Sequence, residues 1–130
     1  MAAGYRLACT KCDYEVMIWD EGNPYARDWR GRRWFIYHPS RFEDVVIHYA
    51  HTERRPISQE EAEILLEHGG NAPEHVCLEC GRITWIDPRY DALECWWCGG
   101  AVVEGFALAG QTCPRCKQGV IENRGIKAIS

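Results

Sequence analysis

Cys95-Trp96-Trp97-Cys98-Gly99-Gly100-Ala101-Val102-Val103 places two cysteines two residues apart, then a glycine turn, then a β-branched run. Two intervening residues let a tight turn aim both sulfurs inward, while nearby amides remain available to hydrogen-bond them. The same unit occurs at Cys9/Cys12, Cys77/Cys80 and Cys113/Cys116, which uses all eight cysteines of the 130-residue chain. One such knuckle supplies half of a tetrahedral four-sulfur site, with metal–sulfur bonds of about 2.3 Å. Four knuckles therefore amount to two tetrathiolate metal centres.

Two other chemistries compete for these cysteines. Four disulfides would need an oxidising compartment. Met1-Ala-Ala-Gly-Tyr-Arg-Leu-Ala-Cys9 lacks an apolar core of signal-peptide length, and no stretch reaches the roughly 18 apolar residues of a membrane span. A reducing cytoplasmic setting without membrane association is expected, which favours metal. A redox role for Cys95-Trp-Trp-Cys98 would call for a strand–helix setting, but the residues that follow read as turn and strand.

Composition agrees with a stapled fold. At 130 residues the chain suits one domain or two very small ones, and a core of that size gains from metal binding. Formal net charge is −4. Eight thiolates against two divalent cations carry it about four charges further. An acidic body repels phosphate backbones, so any nucleic-acid contact must be local.

Residues 5–19 read as strand, knuckle and strand, and Gly22-Asn23-Pro24 breaks the pattern. Residues 27–38 read as a basic turn entering an aromatic strand that ends at Pro39-Ser40, and Val45–Ala50 as a further strand. Ser58 and Glu61 form a capping box for a helix carrying Ala62, Ile64, Leu65 and Leu66. Gly69-Gly70 stops that helix, and its glutamates make a solvated face. After the linker Asn71-Ala72-Pro73, Cys77, Cys95 and Cys113 recur 18 residues apart. Strands are expected at Ile83–Ile86, Ala101–Val103 and Val120-Ile121.

Equal spacing leaves the sharing of metals open. Loop closure favours Cys77/Cys80 with Cys95/Cys98, leaving Cys9/Cys12 with Cys113/Cys116. The rival arrangement joins Cys9/Cys12 to Cys77/Cys80 and puts the last two pairs together. Cys9-Thr-Lys-Cys12-Asp-Tyr14 and Cys113-Pro-Arg-Cys116 resemble the leading and closing knuckles of rubredoxin-like and zinc-ribbon proteins. Cys77-Leu-Glu-Cys80-Gly and Cys95-Trp-Trp-Cys98-Gly similarly look like a complete zinc ribbon. The resemblance is confined to the knuckles and flanking strands, and it supports the first arrangement. It implies two Zn2+, with iron as an alternative at Cys9/Cys12/Cys113/Cys116, because both metals accept tetrahedral sulfur.

The expected fold is α+β: a small antiparallel β-rich protein with two four-cysteine zinc ribbons and one short helix. A single compact unit spanning 1–130 is expected. Within it, 1–20 with 107–130 form an outer ribbon, 21–75 an inserted strand and helix segment, and 76–106 an inner ribbon.

Outside the cysteines, Arg27, Trp29, Arg30, Arg32, Arg33 and Trp34 concentrate positive charge among aromatics. Such a patch holds phosphates and stacks bases. The plainer reading is a hairpin turn whose arginines meet the acidic helix and whose Trp34 packs inward. Trp85, Trp96 and Trp97 flank knuckles and would cover a thin core, with one of the adjacent pair left exposed for a protein contact. His48 and His51, with Glu53 nearby, converge on a third metal only through a turn. His38, His68 and His75 read as surface or loop residues, and Asp87 and Asp91 as turn formers. Nothing in the sequence requires an enzyme. The expected role is a protein–protein adaptor or accessory subunit; a nucleic-acid-binding ribbon and an iron electron carrier are the alternatives.

Overall fold

Before the first knuckle Tyr5, Leu7 and Cys9 alternate with Gly4, Arg6 and Ala8, and after it Val16 and Ile18 are buried while Met17 and Trp19 are only partly covered. In the computed structural model, which describes residues 2–36 and 56–129, strand β1 (Ala3–Cys9) pairs antiparallel with β2 (Glu15–Trp19). Leu7 lies opposite Val16 and Tyr5 opposite Ile18. The chain continues through β3 (Pro24–Arg27), β4 (Arg33–Phe35), helix α1 (Gln59–Glu67), β5 (Gly70–Asn71), β6 (Glu74–Cys77), β7 (Ile83–Trp85) and β8 (Val102–Glu104). A 3-10 turn at Gly105–Leu108 and strand β9 (Ile121–Ile129) complete it. The expected α+β class holds: the described residues form mostly antiparallel strands in three small sheets, with one α-helix.

The sheet orders are β2-β1-β9, β4-β3-β5 and β7-β6-β8. Two compact units result, Met1–Gly22 with Ala72–Ser130 and Asn23–Asn71.

The first unit contains the same ribbon twice. In one copy, β1 and β2 are joined by the Cys9/Cys12 knuckle, and β9 returns beside β1 after the Cys113/Cys116 knuckle. In the other, β6 and β7 are joined by Cys77/Cys80, and β8 returns beside β6 after Cys95/Cys98. The correspondence extends to single hydrogen bonds. Thr10 N donates to Val120 O and Leu78 N to Ala101 O, both at 3.0 Å. Isolated bridges Thr112–Val120 and Glu94–Ala101 close the two second knuckles alike. Leu7, Val16, Ile18, Val76, Leu108 and Ile121 form the core of this unit together with Cys9, Tyr14 and Cys113.

In the second unit, Ser58 caps α1 as its sequence suggests, its hydroxyl accepting from Glu61 N at 3.1 Å. Ala62 and Leu65 face Ala26, Ile36 and Ile57, and Trp34 packs against that cluster.

Two expectations are corrected. His75 is not a surface or loop residue. It sits on β6, the middle strand of its sheet, and is 5% exposed, because that strand is covered on both faces. The final strand does not stop near Ile121 but runs to Ile129, carried by pairing along β1 despite its polar composition. The expected Val45–Ala50 strand, together with His38, His48, His51 and Glu53, lies outside the described residues. Among the described residues, no helix is long and apolar enough to cross a membrane.

Candidate metal centres

Each knuckle is a turn closed by its own backbone. The first cysteine's N–H donates to the carbonyl five residues on in three cases: Cys9 to Tyr14, Cys77 to Arg82 and Cys95 to Gly100. Cys113 donates to Gly119, one residue further. Amides inside or just after the turn then face sulfur. Lys11 N donates to Cys9 Sγ at 3.3 Å, and Glu79 N and Cys80 N to Cys77 Sγ at 3.4 Å. Trp97 N reaches Cys95 Sγ and Gly119 N reaches Cys116 Sγ, also at 3.4 Å. Such donors stabilise thiolate over thiol.

The eight sulfurs gather into two tetrads, Cys9/Cys12/Cys113/Cys116 and Cys77/Cys80/Cys95/Cys98, with the ligand atoms of each within 4.8 Å of one another. Cys9–Cys116 and Cys12–Cys113 sulfur distances are 3.7 Å. Cys77–Cys98 is 3.4 Å and Cys80–Cys95 is 3.6 Å. A tetrahedron with metal–sulfur bonds of about 2.3 Å has edges of about 3.8 Å, so both tetrads have the dimensions of a tetrathiolate site. None of the eight is disulfide-bonded.

Their electrostatics also call for a cation. Burial pushes the Cys95 thiol up, but the amides of Cys98 and Trp97 and the thiols of Cys80 and Cys77 outweigh it and bring it to about 6. Cys116 falls to about 6 chiefly through the amides of Gly119 and Gln118. Their neighbours move oppositely. Cys12 accepts from the Tyr14 amide, yet burial and three surrounding sulfurs drive it up to about 12. Cys98 accepts from the Gly100 amide, and Cys77, burial and the other sulfurs take it up to about 12. Each tetrad thus favours some thiolates at the expense of others, a conflict that one divalent ion removes. When bound, such an ion supplies a cross-link between strands distant in sequence.

The residue after each closing cysteine also matters. Gly81, Gly99 and Lys117 follow Cys80, Cys98 and Cys116, and all three adopt left-handed backbone, with φ of 78°, 74° and 62°. Lys117 is the one non-glycine in that region among the described residues. Its Nζ donates to Leu78 O at 3.1 Å and Glu79 O at 3.0 Å, inside the other centre's leading knuckle. Tyr14, 4% exposed, donates its hydroxyl to Gly81 O at 2.6 Å. Spacing within the knuckles carries no sign of either link; the Tyr two residues after Cys12 is the nearest sequence clue.

Trp96 and Trp97 do not divide into one buried and one exposed ring. Both are exposed, at 59% and 60%. Their position between two ligands explains this: the Trp97 amide turns in to Cys95 Sγ and the Trp96 amide to Thr84 Oγ1, both at 3.4 Å, so the side chains turn outward. Trp97 is braced by Arg82, whose guanidinium lies 5.1 Å from its ring centroid, and Trp96 lies 6.2 Å from Trp85. Tyr90 and Leu93, 61% and 60% exposed, lie on the preceding loop. Asp87 shapes that loop as a turn former, accepting from Arg89 N and the Arg89 guanidinium, while Asp91 accepts from Asp87 N.

The basic segment forms the turn between β3 and β4. Asp28, almost buried, accepts from Arg30 N at 2.9 Å and from Arg32 N and Nε at 2.8 and 2.7 Å. Arg33 stacks 4.6 Å from the Tyr25 ring centroid, Trp34 packs inward, and Trp29 is exposed. Burial opposes the Asp28 carboxylate, but the Arg32 and Arg30 donors outweigh it and hold its pKa below the ordinary range. A depressed folded-state pKa stabilises above the unfolded carboxylate pKa and loses that contribution as pH falls through the folded value. Asp28→Ala is therefore expected to cost about 2 kcal/mol of the stability of the Asn23–Asn71 unit at neutral pH. Urea unfolding read by tryptophan fluorescence at pH 7 checks this; an unchanged midpoint would contradict it.

Comparison with family models, curated proteins and solved structures finds no match for this chain.

Proposed function

We propose that this protein is a zinc-stapled adaptor that docks another protein through the exposed rings of Trp96 and Trp97 on its inner ribbon. The observation that carries the reading is the exposure of both tryptophans between the ligands Cys95 and Cys98. Small domains ordinarily spend such rings on their cores. Aromatic anchors held rigid before binding lose little entropy on docking and dominate interface energies. The ribbon repeat adds support. In the outer ribbon the equivalent pair is Pro114 and Arg115, of which Pro114 is buried beside Gly81 and Arg115 lies over Tyr14. The same position in the inner ribbon faces solvent.

Zn2+ is proposed at both tetrads because the role assigned to them is cross-linking rather than electron transfer. A colourless sample with two zinc per chain supports zinc; visible charge-transfer bands would indicate iron at Cys9/Cys12/Cys113/Cys116. Nucleic-acid binding through Arg27–Trp34 is the second reading, favoured by exposed Trp29 beside four arginines. Against it, Arg32 is engaged by Asp28 and Arg33 by Tyr25.

Affinity capture with the intact, zinc-loaded chain tests the adaptor reading. A purified partner is expected to bind a Trp96→Ala/Trp97→Ala variant at least about 30-fold more weakly, with zinc content unchanged. Equal binding by the variant, or salt-sensitive oligonucleotide binding lost in Arg30→Ala/Arg33→Ala, would overturn it.

A further inference from the structure

We propose that the two metal centres are energetically coupled, so that metal in one tightens metal in the other, and that Tyr14 and Lys117 carry the coupling. The proposal rests on the metal reading and is independent of the adaptor role.

The links start next to one set of ligands and end next to the other. Tyr14 is two residues beyond Cys12, and its own carbonyl closes the first knuckle by accepting from Cys9 N at 3.0 Å. Its hydroxyl donates to the carbonyl of Gly81, the residue after Cys80. Lys117 directly follows Cys116, and its N–H donates to Cys113 O at 3.0 Å. Its ammonium reaches the carbonyls of Leu78 and Glu79, the two residues between Cys77 and Cys80. Both knuckles of the outer centre therefore hold the leading knuckle of the inner centre. No side chain could replace hydrogen at Gly81 without crowding: an added Cβ would lie 3.0 Å from the Tyr14 ring.

Coupling follows from who bears the ordering cost. Metal at Cys9/Cys12/Cys113/Cys116 fixes the backbone that aims Tyr14 and Lys117. Those side chains then restrict the Cys77–Gly81 turn before any metal arrives there. A second ion entering an already restricted turn loses less free energy to ordering, which is positive cooperativity without a new contact to the ion. Thermodynamic linkage makes the effect reciprocal between the centres.

The left-handed backbone of Lys117 supplies a discriminating substitution. Glycine adopts φ near 62° more readily than lysine. If Lys117 mattered only for its own turn, Lys117→Gly would leave metal binding equal or tighter. If its ammonium links the centres, Lys117→Gly weakens loading in spite of the relaxed backbone. Tyr14→Phe removes one hydroxyl and keeps the buried ring.

The experiment titrates Cd2+ into the reduced, metal-free full chain. Thiolate-to-metal absorbance follows total loading, and cadmium NMR resolves the two centres. In the wild-type chain the singly loaded form is expected to be scarce at half saturation. In Tyr14→Phe and in Lys117→Gly it should accumulate, with the second ion bound about tenfold more weakly in each, while both variants still take up two ions. Statistical filling of two sites in the wild type, or the same singly loaded fraction in all three chains, would overturn the coupling and leave the metal reading intact. A chain that takes up no cadmium would overturn both.

Discussion

Removing metal with a strong chelator under reducing conditions is expected to abolish the cooperative melt of the unit formed by Met1–Gly22 and Ala72–Ser130. The reason is what its core is made of. Cys9 and Cys113 are members of the buried cluster, at 2% and 0% exposure, alongside a small number of aliphatic side chains. The sheet that carries Cys9 is closed by β9, which reaches β1 across more than a hundred residues of chain. A structural zinc site contributes about 10–16 kcal/mol of apparent binding free energy. Whole domains of this size are stable by about 5–15 kcal/mol. Losing even one centre therefore approaches or exceeds the total. Cys113→Ser should reproduce the loss at one centre, since it exchanges a buried ligand for a hydroxyl. Acid should reproduce it at both. Cys12 and Cys98, pushed up to about 12, must give up protons to bind metal, so affinity falls with pH throughout the range below that. Cys95 and Cys116, at about 6, add to the loss only below about pH 6. Calorimetry with and without chelator, paired with elemental analysis, decides the matter. A melt that survives complete metal removal would refute the claim that metal holds this unit together.

Gly119→Ala should have the next largest effect. A Cβ at Gly119 would overlap Cys9 Sγ and sit 3.1 Å from Lys11 N. The backbone of Gly119 is already committed, since its carbonyl accepts from Cys113 N at 2.8 Å and its N–H donates to Cys116 Sγ. One methyl group thus disturbs three of the four ligands of the outer centre. Neither partner can yield: Cys9 is a buried residue at the end of the central strand, and Lys11 N belongs to the turn itself. Zinc content is expected to fall from two per chain to one, with a stability loss beyond the roughly 3 kcal/mol of ordinary overpacking. Gly99→Ala is the companion. Its φ is 74°, but nothing lies within 4 Å of an added Cβ, so only the left-handed backbone is penalised, at about 1–2 kcal/mol, and both metals stay. If Gly119→Ala kept two zinc per chain and its melting temperature, the tight approach to Cys9 would carry no weight.

Much of this molecule is local and can be read along the chain. A Cys-x-x-Cys turn is made by residues within six positions of one another, as is the Ser58–Glu61 cap, so spacing and residue type suffice for both. The α+β class followed from the same local signals. Strands β3 and β5 were less visible. β3 starts at a proline that reads as a breaker and is held by partners on both sides, and β5 has only two residues. The later part of β9 is equally obscure, because Glu122, Asn123, Arg124 and Lys127 give it no apolar alternation and, among the described strands, it is pairing with β1 that keeps it extended.

By itself the sequence determined that eight sulfurs would come in four inward-facing pairs, because two intervening residues bend the backbone the same way wherever they occur. Loop length and knuckle resemblance favoured one arrangement of those pairs over its rival, but equal spacing left both open, and strand pairing in the tertiary structure is what brings Cys9/Cys12 to Cys113/Cys116 and Cys77/Cys80 to Cys95/Cys98. Tertiary structure also decided that Trp96 and Trp97 point outward, that His75 is covered, and that Tyr14 and Lys117 bridge two ribbons. Those outcomes depend on which surfaces remain after the strands have paired, and that is a property of the packed chain rather than of any short stretch of it.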